Sequence, residues 1–353
     1  MANADRILNA GVIGYGLGGA TFHAPFIAIT PGMRLSAIMT SDPARRAAAA
    51  ERYPDTRIAS SFDELVGGPT KLDLIAISTP NATHVPLARA ALEAGAHVVV
   101  DKPFATSAKE AREIEALAAR VGRSAFPFQN RRWDGDFLTL IQLISNGSLG
   151  DVQRFESRFD RWRPIAKPGW TRPDARERAE DVLYDLGTHL IDQALVLFGP
   201  VVSVYAELEC RNKDVVTFDD MFLALTHVSG VRTHLHSTMT AGIARPRMNV
   251  FGSKAAYVKY GVDIQEEVLR AGARPGTPNW GEEPEDRWGT LGSGGAVERV
   301  PTLPGAYQEF YAGVARAIFD GAPPPVPIAD VAAGLAIIEA AYLSAAQREV
   351  VTL

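Results

Sequence analysis

Asp185 and His189 stand four residues apart in Leu183-Tyr184-Asp185-Leu186-Gly187-Thr188-His189, at the opening of an apolar helical run that continues to Phe198. On a helix this spacing stacks both side chains on one face, so a carboxylate and an imidazole can reach one small molecule. Histidine is suited to taking a proton near neutral pH, and a nearby carboxylate favours the cation that results. The pair reads as acid–base machinery; a capping aspartate beside a packed histidine is the plainer alternative. Two ligands without a nearby third argue against a metal site. Lys102, in Asp101-Lys102-Pro103, follows the short apolar run His97–Val100. A lysine there can donate to a substrate hydroxyl and stabilise developing alkoxide charge.

Gly14-Tyr15-Gly16-Leu17-Gly18-Gly19 matches G-x-G-x-x-G directly after the apolar run Ile7–Ile13, the strand context that the motif requires. Gly14 permits a tight turn, Gly16 lets a pyrophosphate approach the backbone, and Gly19 allows close helix–strand packing, with a helix N-terminus facing the anion. Pro25 predicts a break in the following helix near His23. The acidic residue expected about 20 residues further on, for a ribose 2′-hydroxyl, is missing from the strand end, where Thr40 and Ser41 stand. Small hydroxyls leave room for a 2′-phosphate, and Arg45 or Arg46 can supply charge, which favours NADP(H). NAD(H) is the alternative and needs Asp42 turned inward, although Asp42-Pro43 also reads as a helix N-cap.

These residues need elements to hold them. From Arg6 to about Ser124, β-rich runs (Ile7–Ile13, Met33–Met39, Leu72–Ser78, His97–Val100) alternate with Ala-rich helical runs, the pattern of βαβ units around a parallel sheet. Ligands bind at the carboxyl ends of such strands. The loops there add Leu17, Thr79, Pro80, Asn81, His84, Asp101 and Lys102 to the expected cofactor contacts. After about Asn130 the texture changes to period-two alternation around one helix, Val182–Phe198. Val202, Val204, Ala206, Leu208 and Cys210 share one predicted strand face. The expected fold is α/β: a Rossmann domain with a parallel sheet over residues 1–125, then an α+β domain on a large, open, mainly antiparallel sheet over 126–353. A broad free sheet face suggests a homodimer or homotetramer. Ala271–Asn279 reads as a surface loop, and Ile328–Gln347 as an amphipathic helix.

The 353 residues are 46% hydrophobic and 22% charged, ordinary for globular chains, and 36 Lys+Arg against 41 Asp+Glu give a net charge of −5. That balance disfavours a nucleic-acid partner. One cysteine, Cys210, excludes an intramolecular disulfide and suits a reducing cytoplasm. Met1–Leu8 lacks a basic segment followed by an apolar core, and no run approaches the roughly 18 apolar residues of a membrane span, so no membrane association is expected. His234 and His236 share a strand face with Arg232 and Thr238 and read as a polar sheet surface.

The Gly14 loop, Asp101-Lys102-Pro103 and Asp185-x-x-x-His189, in that order and on those elements, resemble the Gfo/Idh/MocA oxidoreductases over nearly the whole chain. A closer resemblance is to that family's NADP-dependent scyllo-inositol dehydrogenase branch. It runs through Phe22-His-Ala-Pro25, Asn130-Arg-Arg-Trp-Asp-Gly-Asp-Phe137, Arg161-Trp-Arg-Pro164, Leu183 to His189 and Lys259-Tyr-Gly261. The resemblance implies reversible oxidation of a secondary alcohol on a cyclic polyol or sugar, with His189 as general base, Lys102 polarising the reacting oxygen, and Asp185 binding a neighbouring hydroxyl. Asp101 stands where the family usually has Glu. A polyol needs many polar partners, and Asn130, Arg131, Arg161, Arg163, Trp170, Tyr184 and Tyr307 are the candidates. An aldose or 1,5-anhydrosugar dehydrogenase and a non-catalytic NADP-binding sensor are the rival readings; Lys102, Asp185 and His189 together favour an enzyme.

Overall fold

Short runs rich in Val, Ile, Leu and Ala form the six-stranded parallel sheet of the N-terminal half: β1 (Leu8–Ile13), β2 (Met33–Met39), β3 (Arg57–Ala59), β4 (Leu74–Ile77), β5 (His97–Val100) and β6 (Ala125–Pro127), in the order β3-β2-β1-β4-β5-β6. Sheets of this kind are covered on both faces, which is why β4 is buried along its whole length. The order reverses between β1 and β4, creating the switch point at which such sheets bind ligands. The computed structural model describes residues 6–353; of the N-terminal stretch Met1–Leu8, residues 1–5 lie outside the described residues. Asp42, Ser61 and Ser107 cap the helices Pro43–Arg52, Phe62–Val66 and Ala108–Arg120, each accepting an N–H from the first turn. The helix after β1 is divided as Pro25 predicts, into a wide π-helical turn, Gly19–His23, and the α-helix Ala24–Ile29.

The chain forms two units that are not continuous in sequence. One contains residues up to Asn130 with Gln265–Trp280 and Tyr307–Val331; the other contains Arg131–Ile264, Gly281–Ala306 and Ala332–Leu353. A single division after residue 125 therefore misses two returns of the chain. The physical reason is visible in helix Gln308–Asp320, whose apolar face needs cover: Phe310 is buried with its ring 4.8 Å from that of Phe128. Ala271–Asn279 is a largely exposed loop, as expected.

The second unit carries a nine-stranded sheet of β7 (Val152–Arg158), β8 (Val201–Glu209), β9 (Asp220–His227), β10 (Arg232–Thr238), β11 (Met248–Gly252), β12 (Ala256–Lys259), β13 (Gly289–Ser293), β14 (Ala296–Val300) and β15 (Val351–Thr352), ordered β14-β13-β12-β11-β7-β10-β9-β8-β15. All pairs are antiparallel except β7 with β10. One face is buried through Met221, Leu223 and Leu225 of β9 and through Leu235 of β10, and Phe155 meets Phe198 of helix Thr188–Phe198 at 5.5 Å. In β8 the alternation holds for Val204, Ala206 and Leu208, but Val202 is exposed, because the register slips between Val201 and Ser203, and Cys210 lies exposed beyond the strand. Helix Ile328–Gln347 also departs from expectation. By length and composition it is apolar enough to cross a membrane, and half of that stretch is buried inside the protein.

Candidate active site

In the turn after β1, Gly14 and Gly19 have no room for a larger residue. Gly14 has φ +91°, and a Cβ there would stand 2.1 Å from the Ser78 carbonyl oxygen; one on Gly19 would stand 1.9 Å from that of Gly14. Gly16 differs: its Cβ would meet only the Arg45 guanidinium, at 3.6 Å. An open backbone face beside a cation fits the pyrophosphate of a dinucleotide. Leu17 is exposed on the same turn. At the end of β2, Thr40 is buried and donates its N–H to Ala59, and Ser41 is exposed. Asp42 points into its own helix, accepting the Arg45 N–H at 3.0 Å. Arg45 is exposed and Arg46 half-buried.

After β4, the Thr79 and Thr83 hydroxyls are 2.7 Å apart, and Pro80 leads into the short turn Asn81–Thr83. His84, expected among the cofactor contacts, is buried instead. Its Nδ1 lies 2.8 Å from the Pro103 oxygen and its Nε2 2.8 Å from the Thr79 oxygen, so the ring ties together the loops that follow β4 and β5. In the second of these loops Lys102–Pro103 is a cis peptide. Asp101 accepts the Lys102 N–H at 2.8 Å through one oxygen and the Ser78 hydroxyl at 2.8 Å through the other. Burial would raise its pKa, but the nearby His23 and His84 rings and the Ser78 hydroxyl outweigh it, holding the carboxyl well below its usual range. Asp101 is therefore a fixed anion under the Lys102 turn.

In the second unit Asp185 lies within a π-helical turn, Leu183–Gly187, that runs into helix Thr188–Phe198, where His189 is buried. Such wide turns interrupt the regular helical ladder and are frequent at functional sites. Gly187 sits against side chains: a Cβ there would stand 2.8 Å from Leu183 Cδ1 and 3.1 Å from the Met221 sulfur, so these side-chain ends would have to shift. The His189 ring meets the edge of Phe159, which is itself flanked by Arg131 at 5.0 Å and Arg247 at 4.0 Å. Asp185 is engaged by Lys167, whose ammonium lies 2.5 Å from one carboxylate oxygen and 5.4 Å from the Trp170 ring. Lys167 was not legible in the sequence: it sits in Pro-rich irregular chain, 18 residues before its partner, without periodicity to mark it.

The expected substrate contacts fall into two groups. Arg163 and Trp170 line a small indentation in the second unit together with Lys167, Asn212 and Met239. The main chains of Arg161 and Arg163 are bound to Thr238 and Met239. Asn130 is buried in the first unit, and Arg131 in the second is ion-paired to Asp134 at 3.3 Å. Tyr307 is buried in an aromatic cluster, 6.3 Å from both Phe22 and Phe26, with its N–H bound to Gln265. Tyr184 is likewise buried, 6.1 Å from Tyr342. In both, the ring is held by packing against other aromatic side chains. His236 packs on Phe222 at 4.9 Å, and burial, then Arg158 and Arg245, lower its pKa to about 4. Among the described residues no group of three or more His, Cys, Asp or Glu could hold a metal ion.

A glycine-cradled switch point in one unit, with a lysine at the adjoining strand end, and an Asp/His-bearing helix on a large sheet in the other define a nicotinamide-dinucleotide-dependent oxidoreductase. Residues 8–128 match the family model described as "Oxidoreductase family, NAD-binding Rossmann fold", and residues 141–353 match "Oxidoreductase family, C-terminal alpha/beta domain". The chain belongs to the Gfo/Idh/MocA oxidoreductase family. It is 42% identical to the uncharacterized oxidoreductase YdgJ of Escherichia coli (98% of this chain, 99% of the relative) and 33% identical to the Bacillus subtilis scyllo-inositol 2-dehydrogenase (NADP(+)) IolW (98% and 96%). Among solved structures, the putative oxidoreductase yvaA of Bacillus subtilis superposes with a TM-score of 0.93 at 32% identity, covering 99% of each chain.

Proposed function

We propose that this chain is an NADP-dependent dehydrogenase of the CH–OH class that interconverts a secondary alcohol of a cyclic polyol, of the scyllo-inositol and scyllo-inosose type, with its ketone. The preference for NADP(H) over NAD(H) is supported by one observation above others: Asp42 is committed to capping its helix, which leaves Thr40 and Ser41 at the β2 end with Arg45 beside Gly16. The polyol is supported by the 33% identity to the scyllo-inositol 2-dehydrogenase (NADP(+)) of Bacillus subtilis. Copies are proposed to pair through the sheet face that carries Phe222, His234 and His236, giving a homodimer or homotetramer.

A bound nicotinamide supplies the hydride acceptor; the chain supplies alignment and proton management. The Lys102 ammonium donates to the reacting oxygen and favours its anionic form. The His189 imidazole takes the hydroxyl proton, and the cation it becomes is stabilised by the Asp185 charge. Asp185 accepts a hydrogen bond from a neighbouring hydroxyl while Lys167 holds its other side. The test is His189→Ala: turnover is expected to fall by a factor of about 100 or more, within the range for general acid–base catalysis, with the dinucleotide Kd unchanged. Parallel loss of both, or loss of neither, would remove His189 from the role of base.

A further inference from the structure

Asp101 ends a buried chain of polar groups that the chemistry above leaves unused. His23, the last residue of the π-helical turn after β1, is fully buried with its ring 4.4 Å from that of Phe128. Its Nδ1 is 2.7 Å from the Tyr311 hydroxyl oxygen, and its Nε2 is 3.4 Å from Asp101 Oδ2. Tyr311, on helix Gln308–Asp320, is also fully buried, and burial together with the Asp101 charge holds its pKa well above the ordinary value. An Nε2 lone pair facing the Asp101 carboxylate at 3.4 Å would be repelled, which favours a proton on Nε2; in the neutral ring Nδ1 then accepts from the Tyr311 hydroxyl. At 3.4 Å the contact of Nε2 with Asp101 is long for a hydrogen bond, so it acts mainly as attraction between an N–H dipole and a partly buried anion. The glycine turn after β1 crowds the same oxygen: a Cβ on Gly18 would stand 2.7 Å from Asp101 Oδ2 and 2.2 Å from Ser78 Oγ.

We infer that Tyr311 and His23 are positioning residues for the reaction. Through Asp101, whose other oxygen accepts the Lys102 N–H, they fix the turn from which Lys102 projects. The arrangement also accounts for an aspartate at this position. With Ser78, His23 and the Lys102 amide around it, and Gly18 against it, the space suits the shorter carboxylate. The catalytic consequence rests on the role proposed for Lys102; the hydrogen-bond chain does not.

The test uses the full-length protein with ¹⁵N-labelled histidine, the His23 ring being assigned through His23→Asn, together with hydrogen exchange at the Lys102 amide. The expected tautomer carries its proton on Nε2. Tyr311→Phe, which removes one hydroxyl and is the variant better able to fold, is expected to shift the Nδ1 resonance. It should also speed exchange of the Lys102 amide about fivefold, the effect of losing roughly one hydrogen bond's net contribution. In turnover, kcat should fall while the dinucleotide Kd stays constant. A proton on Nδ1 in the native protein, or unchanged Lys102 exchange in both variants, would overturn the inference. Lys102→Met separates the two readings: full activity in that variant removes the role of Lys102, whereas the tautomer and exchange results judge the network.

Discussion

Replacing Gly16 with alanine is expected to weaken dinucleotide binding while leaving the unliganded fold intact, and the geometry sets the size of both effects. An added Cβ meets only the Arg45 guanidinium, with Nη1 at 3.6 Å and Cζ at 3.9 Å, which is ordinary van der Waals contact with the far end of a flexible side chain. Unfolding of the free protein should therefore change by less than about 0.5 kcal/mol, as for other uneventful surface substitutions. The new methyl occupies the open face through which a pyrophosphate reaches the backbone. Holding the phosphate off removes or stretches one charged hydrogen bond, a loss of about 1.5–3 kcal/mol, which raises Kd roughly 10- to 100-fold. Gly14→Ala is the control. There the Cβ falls 2.1 Å from a backbone oxygen at φ +91°, so stability and binding are lost together. Calorimetric titration with NADP+ and thermal unfolding without ligand provide the two readings. Wild-type affinity in Gly16→Ala, or an unliganded unfolding transition lowered as far as that of Gly14→Ala, would refute the placement of the pyrophosphate.

The paired substitution Arg45→Ala and Arg46→Ala should raise Kd for NADP+ about tenfold or more and leave that for NAD+ nearly unchanged, since only the 2′-phosphate loses a charge partner; equal effects on both would place the selectivity elsewhere. Lys167→Met should raise KM for the alcohol several-fold and shift unfolding by less than about 1 kcal/mol, because the Lys167–Asp185 pair is half-exposed and worth little as a stabiliser; steady-state kinetics and denaturant titration report the two quantities. His97 and His236 predict acid sensitivity. Burial first, and then Arg123 for His97 or Arg158 and Arg245 for His236, lower both pKa values to about 4, and the Nδ1 of His97 must stay unprotonated to accept the Ser124 N–H. The unfolded chain, with histidines near 6.5, binds these protons first, so their stabilisation is complete above about pH 6.5 and is lost as pH falls toward about 4. A chemical-denaturation midpoint no lower at about pH 5 than at about pH 7.5 would contradict that sign.

The elements that local chemistry dictates were readable from the sequence. The strands β1, β2 and β5, the Gly14 loop, the helix break before Pro25 and the Asp42 cap each follow from residues within one or two turns of one another. What could not be read depends on distant partners. Residues 265–280 and 307–331 return to the N-terminal unit because buried aromatic side chains such as Phe310 and Tyr307 need cover there, and nothing near them in the chain says so. Tyr184 and Tyr307 illustrate the same limit: the aromatic neighbours that hold their rings, Tyr342 for one and Phe22 and Phe26 for the other, are far away in the chain. Lys167 is not singled out by the sequence, and His23 stands out only as part of the Phe22-His-Ala-Pro25 run near the helix break, because each gains its role only beside Asp185 or Asp101. The slip in β8 that exposes Val202 is likewise set by pairing with β9, not by alternation within the strand.

The most direct measurement follows nicotinamide reduction by absorbance, with the purified protein, NADP+ or NAD+, and a panel of inositols and aldoses. Rapid reduction of NADP+ by scyllo-inositol, with myo-inositol and NAD+ much slower, is the expected result. Turnover of an aldose in its place would contradict the proposed substrate, and absence of any turnover despite tight NADP+ binding would contradict the enzyme itself.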